Sequence, residues 1–294
     1  MTLNMTIVAP WGVWQCSDHR VTWLEWDSRG QRWKVTRTDD LSMKHIGFQC
    51  KDGTALLTYS GLAKVGNDDV ADWLRRLLRG QSRTVDETLI RIREAADAKL
   101  AKPAAEAGLE HSFLVGAFLQ GRPWAVVITN LRLPRGSPVL DHFETGALRP
   151  DQVPTRLLAG RGADAISGRD LALLKGIARR QPAQPQDYSK ILANIHRRAK
   201  QSTHPASDTI SESCTTTFMP PRGYGGHTTT QWSSQDPLSF PPVPLVHLGI
   251  DMTEIAQVGL EVLRAMKAGQ PLDDDEHQRR TEAAGRRSVE PPAP

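Results

Sequence analysis

The chain has 294 residues, 39% of them hydrophobic and 8 of them Trp, enough to bury a sizeable core in one large domain. No apolar run is long enough for a membrane span, and the start lacks the basic and apolar regions of a signal peptide. Three cysteines, Cys16, Cys50 and Cys214, are too few and too scattered for a disulfide framework or a zinc site, and a net charge of +4 is too dispersed to indicate a nucleic-acid partner. A cytoplasmic protein is expected, with no membrane or nucleic-acid partner, no metal and no cofactor.

Two short apolar runs, up to Val8 and from Gly12, meet at a Pro10-Trp11-Gly12 turn and predict a hairpin of buried strands. The second run delivers Ser17-Asp18-His19-Arg20 to the end of a strand too apolar to be exposed. The first begins at Thr2. If Met1 is removed, Thr2 carries a hydroxyl and a free α-amine, and an amine of pKa about 8 takes the hydroxyl proton at neutral pH. Thr6, also at a strand start, is the rival nucleophile, and a Thr that merely begins a strand is the commoner case.

Residues 21–26 and 31–37 flank Asp27-Ser28-Arg29-Gly30 and read as a second hairpin with tryptophans on one face. Residues 44–50 and 54–61 form another strand pair, turned at Lys51-Asp52-Gly53. The period then changes: Val70, Trp73, Leu74, Leu77 and Leu78 mark an amphipathic helix that stops at Gly80. Thr84-Val85-Asp86-Glu87 is a capping box that opens a second helix, expected to end by Lys102-Pro103. Strands return at 112–118 and 124–129, with another near 140–143. Helices are expected at 163–180 and 186–200, a strand at 209–219, an edge strand at 243–248 and a last helix ending at Gly269. Residues 270–294 lack apolar periodicity and are expected to be a disordered tail behind a single domain of residues 1–269. Composition and order support an α+β fold.

The pattern Thr2, Gly12-Val13, Ser17-Asp18, Arg20, Thr22 resembles the N-terminus of proteasome β-type subunits and their bacterial relatives, which are N-terminal nucleophile (Ntn) hydrolases. In that family an Asp follows the N-terminal Thr by sixteen residues and a Gly precedes that Asp by six, the spacings of Thr2, Asp18 and Gly12. The resemblance implies a four-layer αββα sandwich, two antiparallel sheets between helix layers. It implies a threonine peptidase or amidohydrolase acting on a peptide or amide substrate through an acyl-enzyme on Thr2, and assembly into a homo-oligomer. Asp18 would orient a catalytic lysine and Arg20 would brace the turn. Lys44 is preferred as that lysine on local context, although Lys34 has the family's spacing. Gly61 would offer its N–H to the oxyanion.

Gly160-Arg161-Gly162 stands where the family has Gly-Ser-Gly, so Arg161 replaces a serine. That favours the alternative, a catalytically inactive assembly or binding protein. Asp208 and Ser211 match the family's late Asp and Ser. The same glycines with Ala165 make a weakened dinucleotide fingerprint, rejected because a second helix follows where a parallel strand is needed.

Overall fold

A computed structural model of the chain describes residues 2–39, 42–65, 68–132, 139–148, 152–221, 228–233, 242–270 and 273–289. The chain opens with strands β1 (Asn4–Ala9), β2 (Gly12–Asp18), β3 (Val21–Asp27), β4 (Arg32–Asp39), β5 (His45–Gln49), β6 (Gly53–Ser60), β7 (Leu62–Val65) and β8 (Asp68–Asp69). Helices α1 (Val70–Leu78), α2 (Val85–Ala96) and α3 (Lys102–Glu106) follow. Strands β9 (Ser112–Leu119), β10 (Arg122–Leu131), β11 (Val139–Leu148) and β12 (Thr155–Ala159) lead to helices α4 (Gly168–Ala178) and α5 (Pro185–Lys200). The chain then runs through β13 (Cys214–Met219), β14 (Thr228–Trp232), β15 (Leu245–His247) and β16 (Ile250–Asp251) to helices α6 (Thr253–Lys267) and α7 (Asp274–Val289). The fold is α+β.

The described strands form three sheets. One has the order β12-β1-β2-β13-β14 and is antiparallel throughout. A second runs β11-β10-β9-β6-β5-β15-β16, and here β15 lies parallel to β5. These two sheets face each other across a cluster that includes Val8 and Val13 from the first and Leu56, Leu114 and Phe118 from the second. Gln15 crosses the same gap, its amide donating to the carbonyls of Leu56 and Leu114 at 3.0 Å each. The outer faces are apolar too. Met5, Trp14 and Cys16 pack with Leu174, Leu192 and Ile195 of α4 and α5. Leu57, Phe113 and Val115 pack with Trp73, Leu74 and Ile92 of α1 and α2.

Local chemistry explains where these helices begin. Asp69 accepts the N–H groups of Ala71 and Asp72 ahead of α1, and Thr84 with Glu87 closes both halves of the capping box on α2. Trp73, Leu74 and Leu78 then fall on the buried stripe of α1.

Three expectations need correction. The 23–37 hairpin joins neither large sheet; β3 and β4 form a separate sheet with β7 and β8, β3 running parallel to β7, so the fold is not simply two antiparallel sheets. Trp26 on β3 is 45% exposed. Lys102-Pro103 does not end the second helix: a π-turn at Asp97–Ala101 widens the spiral and lets α3 start with Pro103 in its first turn, where a missing N–H is tolerated. Third, the expected disordered tail contains α7, which lies on α6 through the Arg280–Glu261 and Arg287–Glu254 pairs and buries Ala284.

Candidate active site

The site assembles where β2 ends. Thr2 precedes β1, and the Asp18 N–H donates to the Leu3 carbonyl at 3.2 Å, holding the start of the chain against the end of β2. Lys44 stands one residue before β5, and the Ser42 N–H reaches the His19 carbonyl at 3.4 Å. Thr2 is 1% exposed, Asp18 0% and Lys44 2%.

Their polar atoms converge. Lys44 Nζ donates to Asp18 Oδ1 at 2.8 Å, to Thr2 Oγ1 and to the Arg20 carbonyl. Thr2 Oγ1 has two acceptors in reach, Asp18 Oδ1 and, at 2.9 Å, the Arg20 carbonyl. The carboxylate is braced further by the Leu3 N–H on Oδ1 at 3.4 Å and by the Ser211 N–H on Oδ2 at 3.1 Å. A buried ammonium and carboxylate survive only when paired and hydrogen-bonded, and here both conditions are met. Such an arrangement places a hydroxyl beside a fixed positive charge inside a dry environment. The ammonium, against the Asp18 carboxylate, stabilises negative charge developing on that oxygen.

The backbone of Thr2 is held as tightly. Its carbonyl accepts the Gly162 N–H at 3.0 Å. Gly160 has φ +83°, and a Cβ there would lie 2.1 Å from that same carbonyl oxygen. Only glycine fits so close an approach. Sequence reasoning valued this Gly-x-Gly for the residue between the glycines. The glycines themselves are what touch Thr2, and a Gly-x-Gly after a strand was the available signal.

The other expected site residues divide. Ser211 joins the cluster, its N–H on Asp18 and its hydroxyl accepting the His19 N–H at 3.0 Å. Arg20 contributes its carbonyl, while its guanidinium donates to the Asp208 carbonyl. The Asp208 side chain is exposed, so only its backbone takes part. Arg161 is exposed in the short 3-10 turn Arg161–Ala165 and makes no described bond to Thr2. Lys34 is away from the site, exposed on β4 and paired with Asp27 at 3.4 Å. Thr6 lies mid-strand opposite Gln15, not beside Asp18. Gly61 has φ +104° at the end of β6, where a Cβ would sit 2.2 Å from the Glu110 carbonyl, a structural requirement for glycine in its own right.

No family model matches the chain, and no curated protein does. Two solved structures are similar in fold: the Anbu (ancestral beta-subunit) from Yersinia bercovieri, 11% identical with TM-score 0.45, covering 92% of this chain and 99% of that one, and the Anbu (Gly-1) mutant from Hyphomicrobium sp. strain MC1, 11% identical with TM-score 0.44, covering 81% and 90%. Likeness at this level assigns no family. The resemblance drawn from the Thr2, Gly12 and Asp18 spacings is therefore corrected: it does not make the chain a proteasome β-type subunit. Gly12 has a local reason to be glycine, since a Cβ there would lie 2.5 Å from the Phe218 ring.

Proposed function

We propose that the chain is a hydrolase of amide or peptide bonds that uses Thr2 as its nucleophile once the chain is cut before that residue. The observation that supports this best is the convergence of Thr2 Oγ1, Lys44 Nζ and the Asp18 carboxylate in one buried cluster. In the reaction the freed α-amine takes the hydroxyl proton, and Oγ1 attacks the substrate carbonyl carbon. The tetrahedral oxyanion collapses, the C–N bond breaks, and the leaving amine takes the proton back from the α-ammonium. Water then hydrolyses the Thr2 ester by the same proton route. Lys44 Nζ is paired with Asp18 at 2.8 Å and donates to Oγ1. Its field favours both the alkoxide and the unprotonated amine. Gly61 is assigned to the oxyanion through its N–H.

The four-layer αββα arrangement belongs to the same reading and is supported by the two facing sheets with apolar helices on their outer sides. A cavity of about 330 Å³ lined by Ser42, Met43, Asp72, Arg75 and Gln257 begins two residues before Lys44 and is the space proposed for a substrate side chain.

A second reading has its own observation. Thr2 is 1% exposed with its hydroxyl fully engaged, as in a purely structural polar clamp. One experiment separates the two. Intact-mass analysis after treatment with a β-lactone or peptide vinyl sulfone should show a chain beginning at Thr2 and carrying one adduct, absent from Thr2→Ala. A chain that keeps Met1, or an adduct that persists in Thr2→Ala, decides for the clamp.

A further inference from the structure

Behind the Asp18 carboxylate, the face of the first sheet turned toward α5 carries a second cluster. Cys214 on β13 stands opposite Asp18 on β2, and Thr216 stands opposite Cys16. Residues two apart share a face, so Cys16 and Cys214 are diagonal neighbours there. Cys16 and Cys214 lie among the buried residues between this sheet and α4 and α5. Next to them, between α5 and the β13–β14 edge, lies a cavity of about 390 Å³ lined by His196, Cys214, Gln231 and Trp232 among others. His196 is 1% exposed, and its Nε2 has no hydrogen-bond partner.

We propose that Cys214 is a covalent modification site for small uncharged electrophiles that enter through this cavity, with His196 in the same cavity wall as the base that takes the thiol proton. This does not rest on Thr2 being a nucleophile.

The charge balance favours the thiolate. The Cys16 hydrogen bond and then the His196 charge outweigh burial and bring the Cys214 thiol down to about 6. Burial works against the His196 imidazolium, but the thiolate beside it raises its pKa above the usual value. Asp18 opposes the thiolate, and Lys44 opposes the imidazolium. Arg197 and Glu212 also line the cavity, one of each sign. Cys50 is the internal contrast, pushed up to about 11 chiefly by burial. Only a thiolate attacks carbon electrophiles at a useful rate. With iodoacetamide, Cys214 Sγ forms the S–C bond, the C–I bond breaks and iodide leaves, and the thiol proton passes to His196.

The test is iodoacetamide labelling of the native full chain, mapped by mass spectrometry across pH. Expected is one adduct, on Cys214, formed at least tenfold faster than on Cys50, with a rate midpoint near 6. His196→Gln should move that midpoint toward the ordinary thiol value of about 8.5 and slow labelling at pH 7 roughly tenfold. If that variant fails to fold, the wild-type pH profile and Cys16→Ser carry the test, the latter raising the midpoint. Equal rates at Cys50 and Cys214, a wild-type midpoint above about 8, or labelling of Cys214 only after denaturation would overturn the proposal.

Discussion

At the scale of single residues, the buried ion pair decides what substitutions do. Asp18→Asn leaves the Lys44 ammonium, 2% exposed, without its carboxylate. A loss of about 3–5 kcal/mol is expected in urea unfolding. Replacing both partners, Asp18→Leu with Lys44→Met, removes the charge altogether and should be much less damaging. Equal urea midpoints for the single and double variants would show that the pair is not what holds the cluster. Gly160→Ala is a sharper probe, because it attacks the seat of Thr2 without touching its polar partners. Both a positive φ and a collision with the Thr2 carbonyl oppose it. A loss of about 1–3 kcal/mol is expected, together with loss of any Thr2 adduct. A stable Gly160→Ala protein that still labels at Thr2 would mean that the close approach has no role.

Between elements, the strongest clamp outside the site joins α4 to α5. Arg198 donates to both oxygens of Asp170, at 3.2 and 2.5 Å, while Ser167 Oγ caps α4 by accepting the Asp170 N–H at 3.1 Å and donates to the same carboxylate at 3.0 Å. The Arg198 hydrogen bond, ahead of every other influence, holds the Asp170 carboxyl below its usual pKa. A depressed carboxyl pKa contributes stability above the unfolded value of about 4 and loses it as pH falls through the folded one. Arg198→Ala should therefore cost about 2 kcal/mol at pH 7, and the gap to wild type should close in acid. A gap that persists below pH about 3 would trace the effect to lost packing of the arginine stem. Helix α7 lies at the other extreme. It is held by two ion pairs between half-exposed side chains and by few buried residues, Ala284 and Ser288 among them. Exposed pairs each contribute under about 1 kcal/mol. In hydrogen exchange the α7 amides should lose protection well before those of β6 and β9. Equal protection would place α7 within the cooperative core.

For the whole molecule, His111 ties stability to pH. It sits among Tyr59, Phe113 and Phe143, and its Nδ1 accepts the Leu62 N–H at 3.0 Å. Burial pulls its pKa down to about 3, so the folded state keeps it neutral. The unfolded chain takes up a proton below about 6.5, and protonation then favours unfolding. Stability should fall as pH drops from about 6 toward 3, by up to about 1.4 kcal/mol per unit, and His111→Asn should flatten that slope. An unchanged slope would assign the acid response to other groups.

What the sequence determined by itself was local or nearly so. The first hairpin, the Thr84–Glu87 capping box, the buried stripe of α1 and the burial of Asp18 at a strand end all follow from caps, turns and periodicity acting within a few residues. What only the tertiary structure decided was which distant groups meet. Lys44 rather than Lys34 reaches Asp18 across 26 positions, and Ser211 reaches it across 193. Cys16 and Cys214 share one sheet face, and His196 of α5 lines a cavity with Cys214, although their spacing carries no signal. Strand register and sheet packing make those meetings, and they depend on the shape of the whole core rather than on any segment's own pattern.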